Sequence, residues 1–164
     1  MIGLGRAYSI NFAGVSVTAQ QDMIYVKPAA DKIIIVEMIK LAASGGTADA
    51  GDAQEELLDI EIIRVPATVT ASSGGGTFTP NPLAVNDSAA GCTARINDTT
   101  KATTSGSLKV IDADGFNNRV PYLYLPAPEH RPIVANAEAI VFRLNTTPAD
   151  AILLSSTMII REMP

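Results

Sequence analysis

The chain has 164 residues, a formal net charge of -5 and a single cysteine, Cys92. This length suits one domain that folds around its own core. The twelve Lys and Arg residues are scattered without a basic run, which argues against nucleic acid as a partner. One cysteine excludes an internal disulfide and is compatible with folding in a reducing cytoplasm. No window approaches the roughly 18 continuous apolar residues of a membrane-spanning helix, so we expect no membrane partner either.

Short stretches of alternating or β-branched apolar residues predict an all-β fold. We predict strands at about residues 6–12, 22–26, 32–41, 54–70, 108–111, 119–125, 139–144 and 152–161. Turn-forming residues separate these stretches, and none has the pattern of a long helix. About eight strands in this arrangement favour an antiparallel β-sandwich, of the jelly-roll kind, over an α/β fold.

Residues 54–70 are the stretch around which the other strands are expected to be organised. Ile60 and Ile62 alternate with Asp59 and Glu61, as expected for a strand with one buried face. The first half also contains good helix formers, so a helix is possible there. The second half, VPATVT, is β-branched and contains a proline that a continuous helix would not accept. We therefore predict a central strand of the sandwich.

Residues 72–107 differ in composition from the rest of the chain, because Gly, Ser, Thr, Asn and Pro dominate and large apolar residues are few. A loop of this length is unusual inside a compact domain. We predict either a long excursion docked on something or a segment that is partly mobile in isolation, with ordered pieces near residues 83–87 and 93–97; a tolerated surface insertion and an interaction arm both stay open. The domain prediction is one β-sandwich over residues 1–164, with an N-terminal arm at 1–12 and this long loop.

Motifs for catalysis or cofactor binding are incomplete. The run Asp112-Ala-Asp114-Gly115 has its glycine at the wrong position for a calcium-binding EF-hand loop, so we predict a tight turn there. His130 is the only histidine and lies between prolines at an exposed corner, PEHRP. No G-x-S-x-G nucleophile motif accompanies it. We expect no enzyme activity, no cofactor and no metal site.

The carboxylates Asp59 and Glu61 are the candidates for a glycosidase-like catalytic pair. On one strand face they would lie about 7 Å apart, a spacing that suits a catalytic pair. Such enzymes also need aromatic platforms, and this chain has no tryptophan. We therefore predict a solvated or subunit-facing row of carboxylates, balanced by Lys40 or Arg64.

Three stretches carry a resemblance to a known class of proteins: RAYSINFAGVSVTAQQD, GDAQEELLDIEIIRV and RPIVANAEAIVFRLNTTPADAILLSSTMIIREMP. In texture, size and strand order they resemble the small structural proteins of tailed bacteriophages that decorate or cement the capsid. The resemblance implies a β-sandwich without catalytic residues that binds the outer shell, often as a homotrimer. It also implies a virion protein of the capsid surface, made in the host bacterial cytoplasm, whose partners are the phage major capsid protein and further copies of itself.

Within this interpretation the N-terminal arm and the long loop are expected to contact the capsid. The predicted contact residues are Tyr8, Phe12, Phe78, Asn81 and Asn97. The three aromatic residues would act as apolar anchors. An alternative function is a receptor- or carbohydrate-binding jelly-roll module of a phage tail or head fibre, in which Tyr122 and Tyr124 would stack on a sugar.

Deletion of residues 72–107 is the direct test of the predicted contact loop. We expect the deletion to abolish assembly or capsid binding, because the loop would supply many of the contacts. Co-sedimentation with capsids measures this, and unchanged binding would contradict the assignment of the loop.

Overall fold

Two antiparallel sheets pack face to face in the computed structural model, which describes residues 5–44 and 55–164. The strands in the described residues are β1 (Arg6–Val17), β2 (Gln21–Lys27), β3 (Ile33–Ala43), β4 (Leu57–Val65), β5 (Gly76–Phe78), β6 (Asn81–Pro82), β7 (Thr93–Asp98), β8 (Lys109–Asn117), β9 (Tyr122–Tyr124), β10 (Ile133–Val134), β11 (Ala139–Leu144) and β12 (Ile152–Met163). A 3₁₀ turn spans Pro128–His130. The prediction of an all-β antiparallel sandwich is confirmed.

The strand pairing is nested from the two ends of the chain towards its middle. β1 pairs with β12, β2 with β11, β3 with β10 and β9, and β4 with β8. The first sheet has the order β10-β3-β12-β1-β6, and the second has the order β5-β7-β2-β11-β4-β8. Because partners lie far apart in sequence, each half of the chain contributes to both sheets. Among the described residues there is no helix long and apolar enough to cross a membrane.

The main core fills the space between the two sheets. Strand β12 shows how this core forms, since Leu154, Ser156, Met158 and Ile160 are buried while the residues that alternate with them are half-buried or exposed. Alternate side chains of a strand point to opposite faces, so one face of β12 enters the core. The largest fully buried side chains include Tyr8, Ile10, Leu58, Ile60, Phe116 and Phe142. The core is therefore mainly aliphatic, as the composition predicts.

Strand β4 occupies part of the predicted strand at residues 54–70. Ile60 and Ile62 are buried, and Asp59 is exposed, so the predicted alternation is confirmed. The strand ends at Val65, where Pro66 lacks a backbone N–H and Ala67 and Thr68 adopt positive φ angles of 42° and 35°. Its position is next to the sheet edge, between β11 and β8. Residue 54 lies outside the described residues.

The predicted long loop and the predicted arm both require correction. Strand β7, within residues 72–107, pairs with β2 along the second sheet, whereas residues 83–87 form a turn and no strand. Residues 6–12 belong to β1 and pair with β12 throughout, while residues 1–4 lie outside the described part. The sequence pattern of β7 is weak because its outward side chains, Arg95 and Asp98, are polar although they are largely buried.

The remaining parts of this region cover the outer face of the second sheet. We call residues 66–75 and 99–107 the cover segment. Its two halves are joined by backbone hydrogen bonds between Thr70 and Thr103 and between Ser73 and Thr100. Beneath it lies a second apolar cluster formed by Tyr25, Ile63, Val65, Ala102, Ala139 and Val141. Strands β2 and β11, in the middle of the second sheet, are thus buried on both faces, and the segment is docked.

Buried charges tie the cover segment to the sheet. Arg143 Nε donates to Asp22 Oδ1 at 2.6 Å, and both side chains are almost fully buried. The backbone N–H of Ala102 donates to Asp22 Oδ2 at 2.6 Å, and Arg143 Nη2 donates to the Ala102 carbonyl at 3.2 Å. The ion pair therefore holds one residue of the cover segment through both its backbone groups.

Asp98 forms the second centre of this network. It lies directly opposite Asp22 on the neighbouring strand, and it accepts hydrogen bonds from Arg95, Ser72 Oγ and the N–H of Gly75. Burial alone would raise the pKa of Asp98, but these hydrogen bonds hold it below its usual value. Gly75 is required at this approach, because a Cβ would lie 2.2 Å from the carbonyl oxygen of Ile96.

Breaking the Asp22–Arg143 pair should destabilise the fold strongly. Asp22→Asn and Arg143→Met each leave one buried charge without its partner, which costs about 3–5 kcal/mol in comparable pairs. The double variant should lose less than the sum of the two. Urea unfolding of the four proteins measures the coupling. Asp31→Asn, which removes an exposed ion pair with Lys32, should cost under about 1 kcal/mol. Equal effects at the two sites would contradict this role.

Acid should loosen the Asp98 centre. Because the folded-state pKa of Asp98 is lowered, its contribution to stability is present above the unfolded pKa of about 3.9 and is lost as pH falls through the folded pKa. The stability difference between wild type and Asp98→Asn should therefore shrink below about pH 4. When both proteins also carry Ser72→Ala, which removes one of these hydrogen bonds, the difference should begin to shrink at a higher pH. Urea unfolding from pH 6 to pH 3 measures this. A difference that is constant with pH would contradict it.

Candidate functional site

The two lateral edges of the sandwich differ in how they are closed. On one edge the short strands β5 and β6 pair with β7 and β1, and Pro80 and Pro82 accompany them. The other edge has the nine-residue strand β8 at the end of the second sheet, with β9 and β10 beside β3 in the first. An edge strand of this length leaves backbone groups unpaired along one side. This open edge is the accessible margin of the fold.

Exposed apolar side chains are concentrated at the open edge. Among the described residues, seven of the twelve exposed large apolar side chains fall between positions 108 and 133. They are Leu108, Val110, Ile111, Val120, Leu123, Leu125 and Ile133. We call this group the open-edge surface. Concentrated exposed apolar side chains mark contact sites with other proteins or ligands more often than scattered ones do.

A cleft opens between the edge strands of the two sheets. Its volume is about 350 Å³. It is lined by Arg64, Lys109, Ile111, Glu129, His130, Arg131, Pro132 and Ile133, and we call it the edge cleft. Arg64 Nη2 crosses the gap between the sheets and donates to the Ile133 carbonyl at 2.7 Å. The site therefore joins both sheets.

The rest of the gap along β8 is closed by polar contacts. Tyr122 Oη donates to Asp112 Oδ2 at 3.2 Å, and burial together with the nearby carboxylates raises the pKa of the Tyr122 phenol. The predicted turn at residues 112–115 is wrong, because these residues pair with β4 inside β8. Gly115 passes close to Leu57, whose Cδ1 would lie 3.1 Å from a Cβ at that position. Asp112, Asp114 and Gly115 are therefore part of an edge strand.

Positive charges dominate the wall of the edge cleft that β4 and β8 form. Arg64 and Lys109 are direct cross-strand neighbours, an arrangement in which like charges repel. Among the described residues, the carboxylate nearest to Arg64 is that of Glu138, with 3.9 Å between Nε and Oε2. The prediction that Arg64 balances Asp59 and Glu61 is wrong, since Arg64 points between the sheets.

Other partners account for the remaining groups of that prediction. Asp59 accepts a hydrogen bond from Thr146 Oγ1 at 3.0 Å, and Glu61 lies opposite Arg143. Lys40 belongs to the first sheet, as β3 is a strand of that sheet, so it does not balance the carboxylates of β4. The two carboxylates are thus separate groups with different neighbours.

The predicted contact residues occupy different environments. Tyr8 and Phe12 are 0% and 6% exposed, and Tyr8 Oη donates to the Ser88 carbonyl at 2.9 Å. They belong to the core and present no surface as apolar anchors. Phe78 is half-buried against the core, and Asn81 is exposed on β6. Asn97 is half-buried at a φ of 55° and accepts a hydrogen bond from Gln21 at 3.4 Å. Contacts by these last three stay predictions.

The tyrosines considered for sugar stacking also support the core. The ring of Tyr122 stacks on Phe142 with centroids 6.1 Å apart, and Tyr124 packs against the same cluster. The sequence does contain a signal for the open edge, on the face of this segment opposite to the tyrosines. Leu123 and Leu125 alternate with the tyrosines next to Pro121 and Pro126, so both faces of a proline-flanked strand are apolar.

Comparisons with known proteins give no relative for this chain. No protein-family model matches it, no curated protein matches it, and no solved structure matches it.

Within residues 5–44 and 55–164, no group of three or more His, Cys, Asp or Glu side chains is placed to hold a metal ion.

Proposed function

We propose that this chain is a structural virion protein that binds the outside of a phage capsid and stabilises contacts between major capsid subunits. The open-edge surface carries this proposal, because it concentrates exposed apolar side chains on one margin of the sandwich. Burial of such side chains against a partner is the main driving force of protein association. The resemblance of the sequence to capsid decoration proteins supplies the class of partner.

A bound protein can strengthen a shell by bridging adjacent subunits. Separating the subunits then also breaks the contacts of the bridging protein. Many symmetric copies add modest contacts together, so no single contact needs high affinity. We propose a homotrimer as the bound unit, with light scattering on the purified protein as the check of its mass.

The strand order supports a jelly-roll topology within the sandwich. The four nested pairs place β10-β3-β12-β1 in one sheet and β2-β11-β4-β8 in the other, which is the arrangement of one long hairpin folded across two sheets. Jelly rolls occur in viral capsid and lectin domains. Fold alone does not choose between these roles, so the proposal rests on the surface.

Capsid co-sedimentation tests the proposal at the open edge. The partner in the assay is expanded capsids assembled from a tailed-phage major capsid protein. Wild type should bind with saturation. The variant Val110→Lys/Leu123→Lys should bind at least about tenfold more weakly, because two apolar side chains that the capsid would bury become charged. Equal urea-unfolding midpoints would show that the variant remains folded.

The matched control is Val85→Lys, which changes a side chain that is 97% exposed. It lies in the turn after β6, near the opposite edge, where Arg6 and Asp87 meet. Binding should be unchanged. Loss of binding in this variant alone would move the contact to residues 72–107.

Absence of wild-type binding, with specific binding on a glycan array, would favour the receptor-binding alternative. Point substitutions replace the deletion of residues 72–107, because that deletion would remove β7 and most of the cover segment, including Ala102 of the second apolar cluster.

A further inference from the structure

We infer that the edge cleft is a receptor for a carboxylate side chain of a protein partner, an aspartate or glutamate. The inference rests on the proposed function for the identity of that partner, the capsid surface, but the chemistry of the cleft stands on its own contacts. It adds a specific polar contact to the apolar open-edge surface.

Two guanidinium groups are held in place at the cleft while part of each remains available. Arg64 is fixed through Nη2 to the Ile133 carbonyl, and Arg131 is fixed through Nη1 to Glu37 Oε1 at 3.1 Å. Each side chain is still partly exposed, 36% for Arg64 and 28% for Arg131, so other N–H groups of each guanidinium can reach a ligand. A guanidinium that is already anchored loses little entropy when it binds, and its fork suits a carboxylate.

The cross-strand pair of Arg64 and Lys109 is the second argument. Like charges directly opposite one another destabilise a sheet, and Lys109 makes no ion pair within the described part of the chain. An anion between the two side chains would turn this repulsion into attraction. Glu129, on the opposite wall, is the one carboxylate among the lining residues, and it disfavours ligands with a larger negative charge.

The shape and surroundings of the cleft favour a side chain on a protein. Its volume of about 350 Å³ holds a carboxylate with its short apolar stem. Ile111 and Ile133 line it and also belong to the open-edge surface. A partner that covers the exposed apolar residues would therefore bring a carboxylate into the cleft with water excluded around it, where a charged hydrogen bond is strongest.

Peptide titration followed by NMR tests the chemistry of the cleft. The probe is Ac-Gly-Asp-Gly-NH₂, and its matched control is the same peptide with Asn in place of Asp. The Asp peptide should shift the backbone amide signals of Ile111, His130 and Arg131 in a saturable manner, and the Asn peptide should not. Lys109→Met should weaken binding about tenfold. Lys101→Met, which changes the same charge at a different place, should leave binding unchanged.

The other arms of the experiment identify competing ligands. Inorganic phosphate or galacturonate that binds at least about tenfold more tightly than the Asp peptide would overturn the assignment to a protein carboxylate. Lys109→Met should also keep or raise the unfolding midpoint, since it removes a repulsive pair; a lower midpoint would overturn the role of that pair.

Capsid binding separates failure of this inference from failure of the proposed function. If wild type binds capsids and Lys109→Met binds equally well, the carboxylate receptor is wrong while the virion role stands. If wild type does not bind capsids but binds the Asp peptide at the cleft, the virion role is wrong. Equal binding of the Asp and Asn peptides overturns the inference in either case.

Discussion

The second sheet depends on a pair of buried carboxylates that each have their own arginine. Asp22 and Asp98 lie directly opposite one another, an arrangement that would repel without compensation. Arg143 neutralises the first and Arg95 the second. Because Asp22 also accepts the N–H of Ala102, the same ion pair positions the cover segment over the second apolar cluster. A polar network whose members are all paired can specify one arrangement of a long connection.

This arrangement leaves the molecule with one distinctive free margin. The cover segment occupies the outer face of the second sheet, and β5 with β6 closes one lateral edge. The outer face of the first sheet carries polar residues such as Ser9, Asn11 and Thr157 on its central strands. The apolar side chains that remain exposed are therefore concentrated on the open edge. The position of the proposed contact follows from how the other sides are covered.

Strands with a simple environment were predictable from the sequence, and those with buried polar groups were not. β11 and β12 match their predictions because long apolar stretches mark them. β7 was predicted only as an ordered piece near residues 93–97 and not as a strand, because Arg95 and Asp98 hide its alternation and their partners Ser72 and Gly75 lie in a different part of the chain. The pairing of Arg64 with Lys109 was equally invisible, since it depends on the register between β4 and β8. Tyr8 was predicted as an apolar anchor because nothing local indicates that the core between the two sheets encloses its side chain.

The construction of β8 indicates which kind of contact the open edge favours. A register shift interrupts its pairing with β4 near Val110, and Asp112 and Asp114 lie on its inward side. A bulge and inward-pointing charges are devices that keep an edge strand from pairing with another strand. Contact through side chains is therefore favoured over strand addition in the proposed role. Apolar area supplies affinity without direction, whereas an arginine-bound carboxylate supplies direction. Together they would fix one orientation on a partner surface, which a bridging protein needs and which neither feature provides alone.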